Sequence, residues 1–93
     1  MANWNEITVK AEEAKREMIL DREAGEALFE QLLEDHGADG MLFFKRAEAY
    51  EGLGELPLAL ADYRKSASLF RLHMWKLKAW AAIDRLEPKN TQE

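Results

Sequence analysis

Glycine and proline occupy only seven of the 93 positions, and five of those seven fall in two short stretches. One is His36-Gly37-Ala38-Asp39-Gly40; the other is Gly52-Leu53-Gly54-Glu55-Leu56-Pro57. Both residue types punctuate a chain, glycine by accepting left-handed backbone and proline by lacking an N–H. Between the stretches the sequence is mostly Ala, Leu, Glu, Lys, Arg and Met, the strong helix formers. Six β-branched residues, Ile7, Thr8, Val9, Ile19, Ile83 and Thr91, are too few and too scattered to build a sheet. The expected fold class is therefore all-α.

The first segment, 3–36, opens with Asn3 and Glu6 at capping-box spacing. Ile7, Ala11, Ala14 and Met18 share one helical face, and Leu28, Phe29, Leu32 and Leu33 resume the pattern. Asp21 interrupts that face. It is either the N-cap of a second helix, which we prefer, or a polar notch in one long helix. His36-Gly37 reads as a stop. Asp39 then caps a helix over 40–52, whose apolar face is Phe43, Ala47 and Tyr50. Pro57 fits the first turn of the next helix. From Leu58 to Glu87 neither glycine nor proline occurs, so this stretch is expected to be mainly one helix, bent at most near Arg71. Leu60, Tyr63, Ala67, Phe70, Met74, Leu77 and Ala81 form its heptad-like seam. Pro88 ends it, and 89–93 reads as a frayed tail.

The chain also repeats itself. Phe43-x2-Arg46-Ala47-x2-Tyr50 is followed by Ala59-x3-Tyr63 and Ser66. Ala47 and Ala59 let two antiparallel backbones approach, making their contact the expected tightest point of the core, while Phe43, Tyr50 and Tyr63 fill the space around it. Counting 34 residues upstream of Ala59 and Tyr63 gives Gly25 and Phe29. The same count upstream of Met41 and Phe43 gives Ile7 and Val9, and downstream of Met41, Phe43 and Ala47 it gives Trp75, Leu77 and Ala81. This pattern and period resemble the tetratricopeptide repeat. The resemblance covers roughly residues 6–86 of a single helical domain, 1–93. It divides into a degenerate repeat, 6–39, a good repeat, 40–73, a capping or continued helix, 74–87, and the tail, 88–93. Three departures stand out: Arg46 where the family has leucine, Glu13 where it has a small residue, and Arg71 where it has the proline that ends the second helix.

The family likeness implies antiparallel helical hairpins in a short right-handed solenoid, here with a long C-terminal helix. It also implies a groove on the inner face of the first helices, for a peptide or a helix. Carried over, the groove residues are Ile7, Lys10, Ala14, Met41, Phe44, Glu48, Trp75, Lys78 and Ala82. Members that bind chaperone tails carry a lysine and asparagine clamp for a terminal carboxylate. Only Lys10 fits that clamp, since Ala14, Lys45 and Trp75 do not supply the rest. The implied ligand is an apolar or amphipathic segment.

Chemistry finds little support. With no cysteine there are neither disulfides nor thiolate metal sites. His36 lies near Glu34, Asp35 and Asp39, but beside a Gly-rich corner it reads as a helix end rather than a metal ligand. Paired carboxylates such as Glu12-Glu13 lie along helices without the cleft that acid–base catalysis needs. No phosphate-cradling loop or nucleophile motif occurs. The expectation is no catalytic residue, no metal and no cofactor. Overall acidity, net −5, argues against nucleic acid. That charge is uneven: residues 1–37 carry ten acids and four bases, residues 38–93 eight acids and nine bases. No apolar run reaches the ~18 residues of a membrane span, and the first six residues lack signal-peptide character. A cytoplasmic protein is expected, one that binds a protein or peptide partner. Surplus apolar surface at Phe70, Met74, Leu77 and Trp80 points in addition to a homodimer built on the last helix. Such a dimer, with no groove ligand, is the alternative function.

Overall fold

A computed structural model describes residues 4–88. The capping box at Asn3 and the tail 89–93 lie outside the described residues. Five helices follow in order: α1 (Trp4–Leu20), α2 (Arg22–His36), α3 (Gly40–Gly52), α4 (Leu56–Leu69) and α5 (His73–Leu86). No strand occurs among the described residues.

Local chemistry explains most of the boundaries. Asp21 has extended backbone, and its carboxylate accepts from the Ala24 N–H at 3.3 Å. It therefore caps α2, and the corner between α1 and α2 is a single residue long. Four residues into α2 sits Gly25, fully against α1. A Cβ there would lie 2.1 Å from the Met18 Cα. The two helices cross with backbone touching backbone, which only glycine permits. Gly37, at φ +82°, ends α2 by donating its N–H to the Leu33 carbonyl at 2.7 Å. Asp39 caps α3 through the Met41 N–H at 2.8 Å. Pro57 stands in the first turn of α4.

The C-terminal half departs from expectation. Residues 58–87 are not one long helix, because α4 stops at Leu69 and α5 begins at His73. Phe70 and Leu72 both adopt extended backbone, at ψ 135° and 127°. No breaker dictates this turn; burial does. The Phe70 ring lies 5.9 Å from Phe44 and 5.7 Å from Trp75. It also presses on Gly40, where a Cβ would sit 2.8 Å from the ring. The freed end of α4 is covered by Lys76, whose ammonium donates to the Ala67 carbonyl at 3.0 Å.

The helices pack as two hairpins, α1–α2 and α3–α4, with α1 against α3 and α5 against α4. The result is a flat body, 51 × 31 × 16 Å. Met18, Phe29, Met41, Ala47 and Ala59 are fully buried in its core, and Tyr63 nearly so. Arg46, unusual at a helix–helix contact, is held there by two hydrogen bonds to Asp62, at 2.7 and 3.0 Å. Its guanidinium also lies over Phe43, 5.4 Å from the ring centre. On α1 the small residues facing inward are Ala11 and Ala14, whereas Glu13 is exposed.

Four ion pairs join residues 33 or 34 positions apart: Glu12 with Lys45, Lys15 with Glu48, Arg22 with Glu55, and Glu51 with Arg85. The first two tie α1 to α3, the third ties α2 to the start of α4, and the last ties α3 to α5. The period seen in the apolar residues is thus repeated in charge.

Two substitutions test this account. Gly25→Ala raises intrinsic helix propensity by about 1 kcal/mol, yet its methyl must push α1 away. A net loss of roughly 1–3 kcal/mol in urea unfolding is expected. Arg46→Met leaves the Asp62 carboxylate buried without its partner and should cost about 3 kcal/mol. Adding Asp62→Leu should recover most of that loss.

Candidate partner-binding surface

The aromatic side chains gather where α1, α3, α4 and α5 converge. Phe44 of α3 stands at the centre, edge-on to Tyr63 at 5.3 Å, to Trp75 at 5.6 Å and to Phe70 at 5.9 Å. Trp75 reaches across to Trp4 at the start of α1, 5.9 Å away. Edge-to-face contacts of this kind add to simple area burial. Phe44 is only 7% exposed, so it supports the surface rather than forming it. Trp75 is half-buried and carries the Lys78 ammonium over its ring, 5.4 Å from the centre.

Two depressions meet at Trp75. The larger, about 580 Å³, is walled by Trp4, Phe70, Leu72 and Trp75, with Asp39 and Arg71 at its polar edge. The second, about 390 Å³, lies between α3 and α5 and is lined by Phe44, Lys45, Glu48, Tyr63, Trp75, Lys78, Ala81, Ala82 and Arg85. It brings together five of the nine groove positions read from the sequence: Phe44, Glu48, Trp75, Lys78 and Ala82. The other four do not line it. Ile7 and Met41 belong to the core, at 8% and 0% exposure. Lys10 and Ala14 line a separate crevice of about 220 Å³ between α1 and α2, with Glu13, Leu28 and Leu32. The groove expected along three helices is therefore divided.

The residues expected at a dimer interface also divide. Phe70 is buried within its own chain, because the turn after α4 folds it inward. Met74, Leu77 and Trp80 remain 62%, 54% and 56% exposed.

Sequence reasoning passed over Trp4, Leu72 and Arg71 of the larger depression, since the turn that assembles them has no sequence marker. It also passed over Arg85, which had a signal: it stands 34 residues after Glu51. Arg85 donates to the Glu51 carboxylate, which also accepts from the Tyr63 hydroxyl at 2.8 Å. Three helices are thereby fixed around the second depression. No group of three or more metal-binding side chains occurs among the described residues, and no described helix is long and apolar enough to cross a membrane.

These networks shift proton affinities. Lys45 and Lys15 hold the Glu12 carboxyl below the usual value of 4.5. Tyr50 and Arg22 do the same for Glu26. Burial works against ionisation of Glu51, but Arg85 and Tyr63 outweigh it. Burial, reinforced by Glu26, pushes the Tyr50 hydroxyl up to about 12. Burial and Glu51 push Tyr63 up further. Depressed carboxyls contribute stability that is present above about pH 4.5 and lost as pH falls through their folded values. Raised tyrosines contribute stability that is present below about pH 10 and lost as pH rises from there. Urea midpoints measured against pH should hold level between these limits and fall on both sides. In the double variant Tyr50→Phe/Tyr63→Phe the alkaline fall should be shallower.

No family model matches this chain, and neither a curated protein nor a solved structure matches it.

Proposed function

We propose that this protein is a non-catalytic interaction module, built on tetratricopeptide-like hairpins, that binds an apolar or amphipathic peptide or helix. The observation that carries the reading is Trp75, a half-buried tryptophan that lines two depressions at once. An extended or helical segment lying across it places one apolar side chain against Trp4, Phe70 and Leu72. A second falls between α3 and α5, beside Ala81 and Ala82. Lys45 and Glu48 from α3 and Lys78 and Arg85 from α5 give that cleft polar edges of both signs. Central aromatic anchors within a polar rim are the usual make-up of a protein interface. The hairpin reading is supported by the buried Ala47 and Ala59 and by the ion pairs at 33- and 34-residue separation.

A displayed peptide library selected on the purified protein tests the proposal. Apolar or amphipathic sequences should be enriched, and their binding should shift tryptophan emission. Trp75→Ala should weaken binding at least tenfold, about 1.4 kcal/mol, while leaving the circular dichroism spectrum unchanged. Enrichment of acidic C-terminal sequences, or binding indifferent to Trp75→Ala, counts against it.

The second reading, a structural homodimer without a groove ligand, is favoured by one observation, the exposure of Met74, Leu77 and Trp80 along α5.

A further inference from the structure

Nothing in the sequence between α4 and α5 asks for a turn. Residues 69–74, Leu-Phe-Arg-Leu-His-Met, contain neither glycine nor proline, and none of them has left-handed backbone. α4 ends without a glycine cap, and α5 starts after Leu72 without a side-chain cap. The N–H groups of residues 71–74 give up their helical partners. Every other corner carries its own signal: Asp21, then Gly37 with Asp39, then Gly54 with Pro57. Local preference at 70–72 is for helix, and packing alone holds the bend.

That packing does not require α5 to belong to the same chain. α5 lies antiparallel on α4, with Lys76 at the Ala67 carbonyl and Glu87 at Arg64. It buries Ala79, Ala82 and Ile83, sets Trp75 on Phe44 and pairs Arg85 with Glu51. None of these contacts runs through residues 70–72, so an α5 from a second copy makes them equally well. With the bend straightened, Leu56 to Leu86 form one helix about 46 Å long at ~1.5 Å per residue. Tyr63, Ala67, Phe70, Met74 and Leu77 then follow in steps of four and three, so the exposed Met74 and Leu77 continue the stripe that α4 buries. Alone, such a helix leaves Phe70 in water. Paired antiparallel with its copy, it has the two-fold axis at the hinge, and each Phe70 meets the other chain.

We infer that α5 is an exchangeable element: residues 70–72 open, and the α5 of each copy docks on α3 and α4 of the other. The second depression is then completed in trans. Phe44, Glu48 and Tyr63 come from one copy, and Trp75, Lys78 and Ala82 from its partner. The occupant of each α5 seat is the same helix in both states, so the seat itself says what covers it. This assembly differs from a homodimer on the outer face of α5, in which each α5 stays on its own body.

Thiol cross-linking of the full chain tests the inference. The chain has no cysteine, so Arg64→Cys/Glu87→Cys carries two thiols only, at positions that face each other between α4 and α5. The protein is refolded at low and at high concentration, and any dimer is isolated and diluted before a short bismaleimide is added. Monomer should link within one chain. Dimer should link between chains and run at doubled mass on a denaturing gel. Arg71→Pro should abolish that dimer, because proline breaks a continuous helix. In the bend Phe70 already has the extended backbone that a residue before proline adopts, so the circular dichroism spectrum should be unchanged. If this variant does not fold, two glycines inserted after Arg71 replace it, since a longer hinge favours return of α5 to its own body. A chain still monomeric after refolding at high concentration overturns the inference, as does interchain linking undiminished by the hinge variants. A dimer linked only within chains overturns it in favour of the outer-face homodimer. None of these outcomes bears on peptide binding at Trp75, which is read separately.

Discussion

Burial of the Phe70 ring governs the C-terminal half of the molecule. A helix running straight through residues 70–72 would keep all its backbone hydrogen bonds but leave an aromatic side chain in water. The chain instead gives up the helical bonds of the N–H groups of residues 71–74 and inserts the ring between Gly40, Phe44 and Trp75. An aromatic side chain buries 150–250 Å², on the order of several kcal/mol. A backbone hydrogen bond exchanged for one to water changes the balance by only about 1 kcal/mol. Lys76 and the Leu72 carbonyl satisfy part of what is given up. The turn follows from that difference, and with it come the return of α5 onto α4 and both depressions at Trp75.

The same comparison explains what could be read in advance. Asp21, Gly37, Asp39 and Pro57 act within one turn of themselves, and each boundary they mark lies where local chemistry places it. The break at Phe70 depends on Gly40 and Phe44, about thirty residues earlier, so no local pattern announces it. The groove suffers from a related ambiguity. An apolar residue on the inner face of a helix has the same spacing whether it lines a cleft or fills a core. Packing decides between them: Tyr63, Phe70 and Trp75 enclose Phe44, which becomes support, while Trp75, in contact with Trp4, stays partly at the surface. Likewise Glu13 looked like a flaw in the first repeat. The inward face of α1 is the one that Ile7, Ala11, Ala14 and Met18 share, and the Glu13 carboxylate beside it stays in water.

Charge plays a different part from apolar packing. Most of the ion pairs that join successive helices are partly exposed, and pairs of that kind are individually worth 1 kcal/mol or less. Their value lies in register. Glu12 with Lys45 and Lys15 with Glu48 form a crossed set of two acids and two bases between α1 and α3. Sliding one helix along the other by a turn would set like charges together. Ala11, Ala14, Ala47 and Ala49 are small and alike, and on their own they would accept several such offsets. The charges choose among them.

The one-residue corner at Asp21 has a consequence for how the chain reaches this structure. With so short a connection, α1 and α2 meet through residues close in sequence, such as Met18 and Gly25, and closing that loop costs little entropy. The second hairpin closes over a link of three residues, 53–55. Pairings between hairpins span little more than thirty residues, so the topology is dominated by local contacts and belongs to the rapidly folding class. Such a chain needs no distant segment before its first half can collapse. Emerging from a ribosome, it would assemble in the order it is made, with α5 the last piece to find its place.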